Sequence, residues 1–114
     1  MRQELLFLLH TARKLHHNDY AYTLYHRVIE ALLMIDERKA IEFIENIEQG
    51  DDMVDVSSHF SSLVGEFENK GFMNRLETAA KRFKDVEDYS FILRNIDKSK
   101  ELLENIEKSN QNDL

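Results

Sequence analysis

Cysteine and proline are both absent from this sequence of 114 residues. Without cysteine the chain can form neither a disulfide framework nor a thiolate metal site, which is the pattern expected of a protein in a reducing cytoplasm. Glycine occurs only at positions 50, 65 and 71, so residues that interrupt helices are scarce. These absences favour a helical protein over a sheet protein with many turns.

Long apolar runs are lacking as well. The run from Leu5 to Leu9 near the N-terminus is preceded by Glu4 and followed by His10 and Arg13, and no small-residue cleavage site accompanies it. A membrane-spanning helix needs about 20 consecutive apolar residues. We therefore predict neither a signal peptide nor a membrane span, and we expect a cytoplasmic protein.

Apolar residues recur at spacings of three and four, the period of an α-helix, in six successive segments. The second segment has the widest apolar stripe, so it is predicted to be the central helix, with Leu24 buried; Phe60 is predicted to be buried in the fourth. Gly50 is predicted to close the third helix in a left-handed conformation. The predicted helices cover approximately residues 2–16, 19–35, 36–49, 53–68 and 72–84, and a last helix runs to about residue 107. Asp52 and Ser57 both qualify as the cap of the fourth helix, and the last helix begins near Asp85 or Asp88.

The predicted helices group into pairs. Starts near residues 2, 36 and 72 repeat at about 35 residues, the period expected of stacked helical hairpins. We therefore predict an all-α fold of three antiparallel helical hairpins, as a compact bundle or a short HEAT-like stack. Residues 1–108 are expected to form a single helical domain and residues 109–114 a frayed polar tail.

Acidic residues are concentrated in the middle of the chain. Residues 42–68 contain eight acids and no Lys or Arg, and apolar residues at helical spacing run through them, so this stretch is expected to be part of the folded body. Such a run is typical of a solvated surface, but a rigid acidic face can also attract a cationic protein. On this reading the acids lie exposed and bind a partner; they are Glu42, Glu45, Glu48, Asp51, Asp52, Asp55, Glu66 and Glu68.

The distribution of charge supports the binding hypothesis. Residues 1–35 contain four Lys or Arg against three acids, whereas residues 36–114 contain eleven against nineteen. The net charge of −7 disfavours nucleic-acid binding, which depends on neutralising phosphates. One basic stretch exists, in the fifth predicted helix, but it is too short to reverse that conclusion; it consists of Lys70, Arg75, Lys81, Arg82 and Lys84.

Candidate catalytic and metal-binding residues do not form a recognised motif. Histidine and carboxylate side chains are good metal ligands, but no HExxH or repeated ExxH occurs, and we predict no metal and no cofactor. The hydroxyls of Ser57 and Ser58 lie near His59, but no third orienting group accompanies them, so helix capping is the favoured interpretation. The possible ligands for a metal are His10, His16, His17, His26, Asp19 and Glu30.

A family resemblance extends this interpretation. The segment Ser57 to Phe60 reads S-x-x-F, a short break follows, and the segment Phe72 to Leu76 reads F-M-x-x-L before a final helix. This order of apolar spacings resembles the helical core of small immunity proteins from bacterial polymorphic-toxin and contact-dependent growth inhibition systems. The resemblance covers approximately residues 36–107. It implies a protein without enzymatic activity that binds its cognate toxin domain in the cytoplasm.

Immunity proteins share no functional residue motif, so the proposed binding residues depend on charge alone. The expected partner is a cationic toxin domain, in particular a nuclease, because nucleases need basic clefts to hold phosphates. Two alternatives stay open. One is a helical adaptor or regulatory module with another partner, and the other is a helical hydrolase or metal enzyme that uses the histidines.

Overall fold

The computed structural model describes residues 1–112, which fold into seven α-helices and contain no strand. The all-helical prediction is confirmed, with one helix more than the six expected. The helices are α1 (Arg2–Arg13), α2 (Tyr20–Met34), α3 (Glu37–Glu45), α4 (Gly50–Ser57), α5 (Phe60–Phe67), α6 (Lys70–Lys81) and α7 (Tyr89–Asn112).

Side-chain caps fix three of the helix starts. Asp19 accepts a hydrogen bond from the backbone N–H of Ala21, and Asp36 accepts one from that of Lys39. Asn69 does the same at the start of α6. Each cap satisfies a backbone donor that the first turn of a helix leaves free, so these starts are determined locally.

The additional helix arises because the predicted fourth helix is divided at Ser58 and His59. The hydroxyls of Ser57 and Ser58 donate to the backbone carbonyls of Val54 and Asp55, each at 2.7 Å. Such bonds compete with the helical hydrogen-bond ladder and favour a bend. The chain therefore ends α4 at Ser57 and begins α5 at Phe60.

The core is centred on α5 and α7. Phe60 and Leu63 of α5 are fully buried, as are Ile92 and Ile96 of α7. The prediction that Phe60 lies in the core is confirmed. α5 also packs against α2 and α6.

The prediction of α2 as the central helix is wrong. Only Ile29 and Leu33 of this helix are buried, and Leu24, which was expected inside, is exposed. The periodicity correctly identifies an apolar helix, but α2 is apolar on more faces than its neighbours cover.

The pairing of the helices also differs in part from three successive hairpins. α1 and α2 pack against each other, and so do α6 and α7, but α3 packs mainly against α6, far along the chain. The end of α7 lies at Asn112, so residues 109–112 of the predicted frayed tail are helical. Residues 113 and 114 of that tail lie outside the described residues.

Gly50 does not close α3 in a left-handed conformation; it opens α4, and no glycine of residues 1–112 has a positive φ. Its function is to allow a close approach. A Cβ placed on Gly50 would lie only 2.8 Å from Cγ2 of Val86, in the connection between α6 and α7. The Val86 side chain of this connection therefore packs directly against the backbone of Gly50.

Candidate functional site

Two of the eight predicted binding acids are held by Arg13 of α1. The Arg13 guanidinium donates to Asp52 at 2.8 Å and to Asp55 at 2.7 and 2.9 Å. His10 lies 3.0 Å from the same Asp52 oxygen. Asp52 is buried, so the prediction that its side chain lies exposed is wrong. Asp52 and Asp55 join α4 to α1, which leaves little of Asp52 for a partner.

Hydrogen bonds to these carboxylates also affect Arg13. Burial alone would lower the pKa of the guanidinium, but the bonds to Asp52 and Asp55 outweigh it and raise that pKa. Arg13 is therefore charged at neutral pH. The ion pair neutralises part of the charge that the sequence predicted for the acidic face.

The predicted binding acids on α3, Glu42 and Glu45, are also paired with cations. Glu45 accepts two hydrogen bonds from Arg75 of α6, and these bonds lower the pKa of its carboxyl. Glu42 accepts from Arg38, one turn earlier on the same helix, at 3.0 Å. Arg75 belongs to the basic stretch that the sequence placed on an outer face, so α3 and α6 neutralise each other where they meet.

Four of the predicted acids are exposed and make no close ion pair within residues 1–112. Glu48 reaches Arg2 only at 3.8 Å, and Asp51, Glu66 and Glu68 have no ion-pair partner within residues 1–112. Their positions differ: Asp51 lies at the start of α4, and Glu66 and Glu68 at the end of α5. The eight acids therefore do not form one continuous face.

The fold assembles another group of acids that the sequence analysis missed. The contact of Val86 with Gly50 brings the α6–α7 connection against the start of α4. That connection carries three exposed acids, and Asp51 is adjacent to the contact. We call this group the acidic surface; it consists of Asp51, Asp85, Glu87 and Asp88. Because Asp51 is separated from the other three by more than 30 residues, sequence spacing gave no sign of it.

A shallow groove lies beside the acidic surface. The groove is lined by Asp88 and Asp55, together with His17, Tyr22 and His26. Phe91, in the first turn of α7, contributes an exposed aromatic side chain to the same groove. An aromatic side chain inside an acidic rim is suited to binding a protein surface that is both apolar and cationic.

A histidine pair connects α2 to the start of α5. Nδ1 of His26 lies 2.9 Å from Nε2 of His59, and the two rings are stacked with centroids 5.2 Å apart. Nδ1 of His59 lies 3.4 Å from a Glu30 carboxylate oxygen. The consistent arrangement of protons has His59 Nδ1–H donating to Glu30 and His26 Nδ1–H donating to His59.

Burial favours the neutral form of both histidines. Desolvation is the largest cause that lowers the pKa of His59, and the attraction of Glu30 offsets it only in part. Desolvation also lowers the pKa of His26, and the neighbouring His59 lowers it further. Neither ring has a hydroxyl partner within residues 1–112, so the pair can hold a proton but has no nucleophile to activate.

The serine hydroxyls considered from sequence are engaged in structural bonds. Ser57 donates to the Val54 carbonyl and accepts from the Asn95 amide at 3.0 Å, while Ser58 donates to the Asp55 carbonyl. Within residues 1–112 no three histidine or acidic side chains are grouped so that they could hold a metal ion. Hydrogen bonds link His26 to His59 and His59 to Glu30. Sequence spacing did not indicate this arrangement.

Comparisons of this chain with protein-family models, with curated proteins and with solved structures found no match. Among the described helices, none combines the length and the apolar character needed to cross a membrane.

Proposed function

We propose that this chain is an immunity-type protein that binds a cationic toxin domain of its own bacterium and blocks it without any catalysis of its own. The observation that carries the proposal is the acidic surface. Its four acids are all exposed, and the contact of Val86 with Gly50 places the α6–α7 connection against the start of α4, where Asp51 lies. The same connection contains two cations, Arg82 and Lys84, and the Arg82 guanidinium donates to the backbone carbonyls of Ala79, Ile44 and Ile47.

The acidic surface is suited to a cationic partner for two reasons. Its carboxylates are not consumed by ion pairs within residues 1–112, in contrast to those of Asp52 and Glu45. Carboxylates that face solvent attract a basic domain before contact and raise its association rate. Phe91, at the edge of the groove, supplies apolar area that can be desolvated at the centre of an interface.

This proposal changes the predicted binding residues. Asp52, Asp55 and Glu45 stabilise the fold of the chain and are not assigned to the partner. Of the eight acids predicted from sequence, only Asp51 belongs to the acidic surface. The other four, Glu42, Glu48, Glu66 and Glu68, are assigned at most secondary contacts with the partner. The site of action is the cytoplasm, since a chain without cysteine has no need of an oxidising compartment.

The first experiment tests whether the partner is a toxin. The protein encoded immediately upstream is expressed in a bacterial host with and without this chain, and growth and binding by calorimetry are measured. We expect growth arrest that this chain relieves, together with a complex whose affinity falls as salt rises. An upstream product that is neither toxic nor bound would overturn the proposal. Binding without any effect on growth would point to an adaptor instead.

The second experiment locates the surface by reversing two matched sets of four acids to Lys. Each set changes the net charge by the same amount, so a difference in affinity reports position and not total charge. We expect loss of about 100-fold or more in affinity for the first set and only a change in association rate for the second. The first set is Asp51, Asp85, Glu87 and Asp88, and the second is Glu42, Glu48, Glu66 and Glu68. The opposite result would assign binding to the acids predicted from sequence.

A further inference from the structure

The groove beside the acidic surface combines aromatic rings with carboxylates. Its volume is about 270 Å³. Sites that hold a whole small molecule are larger, about 300–1,000 Å³, so this groove has the size for a single side chain of a partner. Its rings are those of His17, Tyr22, His26 and Phe91, and its carboxylates are those of Asp55 and Asp88.

Three of the rings are in contact with one another. The centroid of the Tyr22 ring lies 4.9 Å from that of His17 and 4.6 Å from that of His26. Tyr22 and His26 are half-buried, whereas Phe91 is exposed. Rings that their neighbours already hold in place lose little freedom when a ligand stacks on them. Aromatic faces attract cations, and arginine more often than lysine.

The carboxylates give the groove a negative charge. Asp88 is exposed and makes no ion pair within residues 1–112. Asp55 accepts from Arg13 through Oδ2 only, at 2.7 and 2.9 Å, so its Oδ1 has no hydrogen bond within residues 1–112. Because Arg13 also binds Asp52, one cation faces two carboxylates and these three side chains keep a negative charge. Among residues 1–112, no Lys or Arg lines the groove.

The carboxylates also lie close to the rings. Burial raises the pKa of the Tyr22 hydroxyl, and the negative charge of Asp55 raises it further. Asp88 and Phe91 belong to one turn, since the backbone N–H of Phe91 donates to the Asp88 carbonyl at 3.0 Å. Residues three apart in such a turn have neighbouring side chains. A cation in the groove therefore meets a carboxylate and an aromatic ring together.

The shape of the groove favours a guanidinium over other cations. Within residues 1–112 the histidine and acidic side chains are not grouped closely enough to hold a metal ion. A guanidinium is planar, so it can stack on a ring while its N–H groups donate to a carboxylate at its edge. The ammonium of lysine is a compact point charge without such a plane.

We propose that the groove receives one arginine side chain of the partner, with its guanidinium stacked on the aromatic rings and hydrogen-bonded to Asp88. The inference rests on the proposed function for the cationic protein that supplies this side chain. It adds the residue type that the groove recognises. The acidic surface attracts the partner, and the groove anchors it by one arginine at the edge of that surface.

The isolated chain tests the groove without any toxin. N-acetyl-arginine methylamide is titrated into the protein, and the ring resonances of Tyr22, His26 and Phe91 are followed by NMR. We expect saturable shifts with a dissociation constant in the millimolar range. The citrulline analogue has the same shape but carries no charge, and it should bind about tenfold more weakly; the lysine analogue should also bind more weakly than the arginine probe. No saturable shift, or equal binding of the arginine probe and either analogue, would overturn the proposal.

Substitutions inside and outside the groove locate the site. Asp88→Asn and Phe91→Leu should each weaken binding of the arginine probe by about two- to fivefold. Asp97→Asn and Phe7→Leu are the matched controls, because they make the same chemical changes at exposed positions on α7 and α1. Thermal melting checks that all four variants are folded. Controls that weaken binding as much as the groove variants would refute the assignment.

The two proposals can fail separately, because the titration uses the chain alone and the growth assay uses the upstream product. A chain that binds the arginine probe through Asp88 and Phe91 but has no toxic partner would support the groove and refute the immunity function. A chain that relieves toxicity but does not bind the probe would refute the groove alone.

Discussion

Breaking the ion pair of Arg13 with Asp52 is the change whose effect on the free energy of unfolding follows most directly from the structure. The Asp52 side chain is only 4% exposed, and Arg13→Met would leave it with His10 as its remaining partner. Removing one member of a buried ion pair costs about 3–5 kcal/mol, because the other charge stays buried without compensation. Since the Arg13 side chain is 35% exposed, water can enter after substitution, and we expect the lower end, about 3 kcal/mol.

The control is the same substitution at an exposed pair. Arg75 and Glu45 are 53% and 35% exposed, and their interaction has similar geometry at the surface. Exposed pairs contribute about 0–1 kcal/mol, so Arg75→Met should have little effect. The two variants remove the same chemical group and the same charge. Their difference therefore reports the burial of Asp52 together with the second ion pair that Arg13 makes with Asp55.

Urea unfolding followed by circular dichroism measures both variants, with thermal melting as a second readout. A loss of 3 kcal/mol should lower the melting temperature by about 12 °C in a chain of this size. Adding Asp52→Leu to Arg13→Met should cost less than the sum of the single changes, with a coupling of about 1–3 kcal/mol. Equal losses in the Arg13 and Arg75 variants, or additivity in the double variant, would refute the reasoning.

Two further predictions concern glycine and histidine. Gly65→Ala should raise the free energy of unfolding by up to about 1 kcal/mol, because the new Cβ would lie 3.5 Å from Leu102, an ordinary contact distance. Gly50→Ala should lower the free energy of unfolding, because the new Cβ would lie 2.8 Å from Val86. Urea unfolding measures both changes, and two changes of the same sign would contradict this prediction. Stability should fall as pH is lowered from about 7 to 5, since the pKa values of His26 and His59 are below those of the unfolded chain, which binds protons first near pH 6.5. Melting at both pH values measures this loss, and it should shrink in His26→Phe; an unchanged loss would exclude the histidine pair as its cause.

The sequence by itself determined the class of the fold. Helical period and the absence of proline are local properties, and a local property can be read from residues close together in the chain. The burial of Phe60 was correct for the same reason, since it belongs to a strongly periodic segment. The division of that segment at His59 was missed, because the bend depends on serine hydroxyls that could equally have faced solvent.

The tertiary structure decided which surfaces remain. A periodic pattern indicates that a helix face is apolar but not whether a neighbour covers it, and so α2 was placed at the centre although its stripe faces outward. The net effect of a charge depends equally on residues far along the chain. Asp52 is bound by Arg13, 39 residues away, and Asp51 lies beside the α6–α7 connection because Val86 contacts Gly50. Both effects come from packing between helices far apart in the chain, where side-chain volume and backbone approach, not spacing, determine which groups meet.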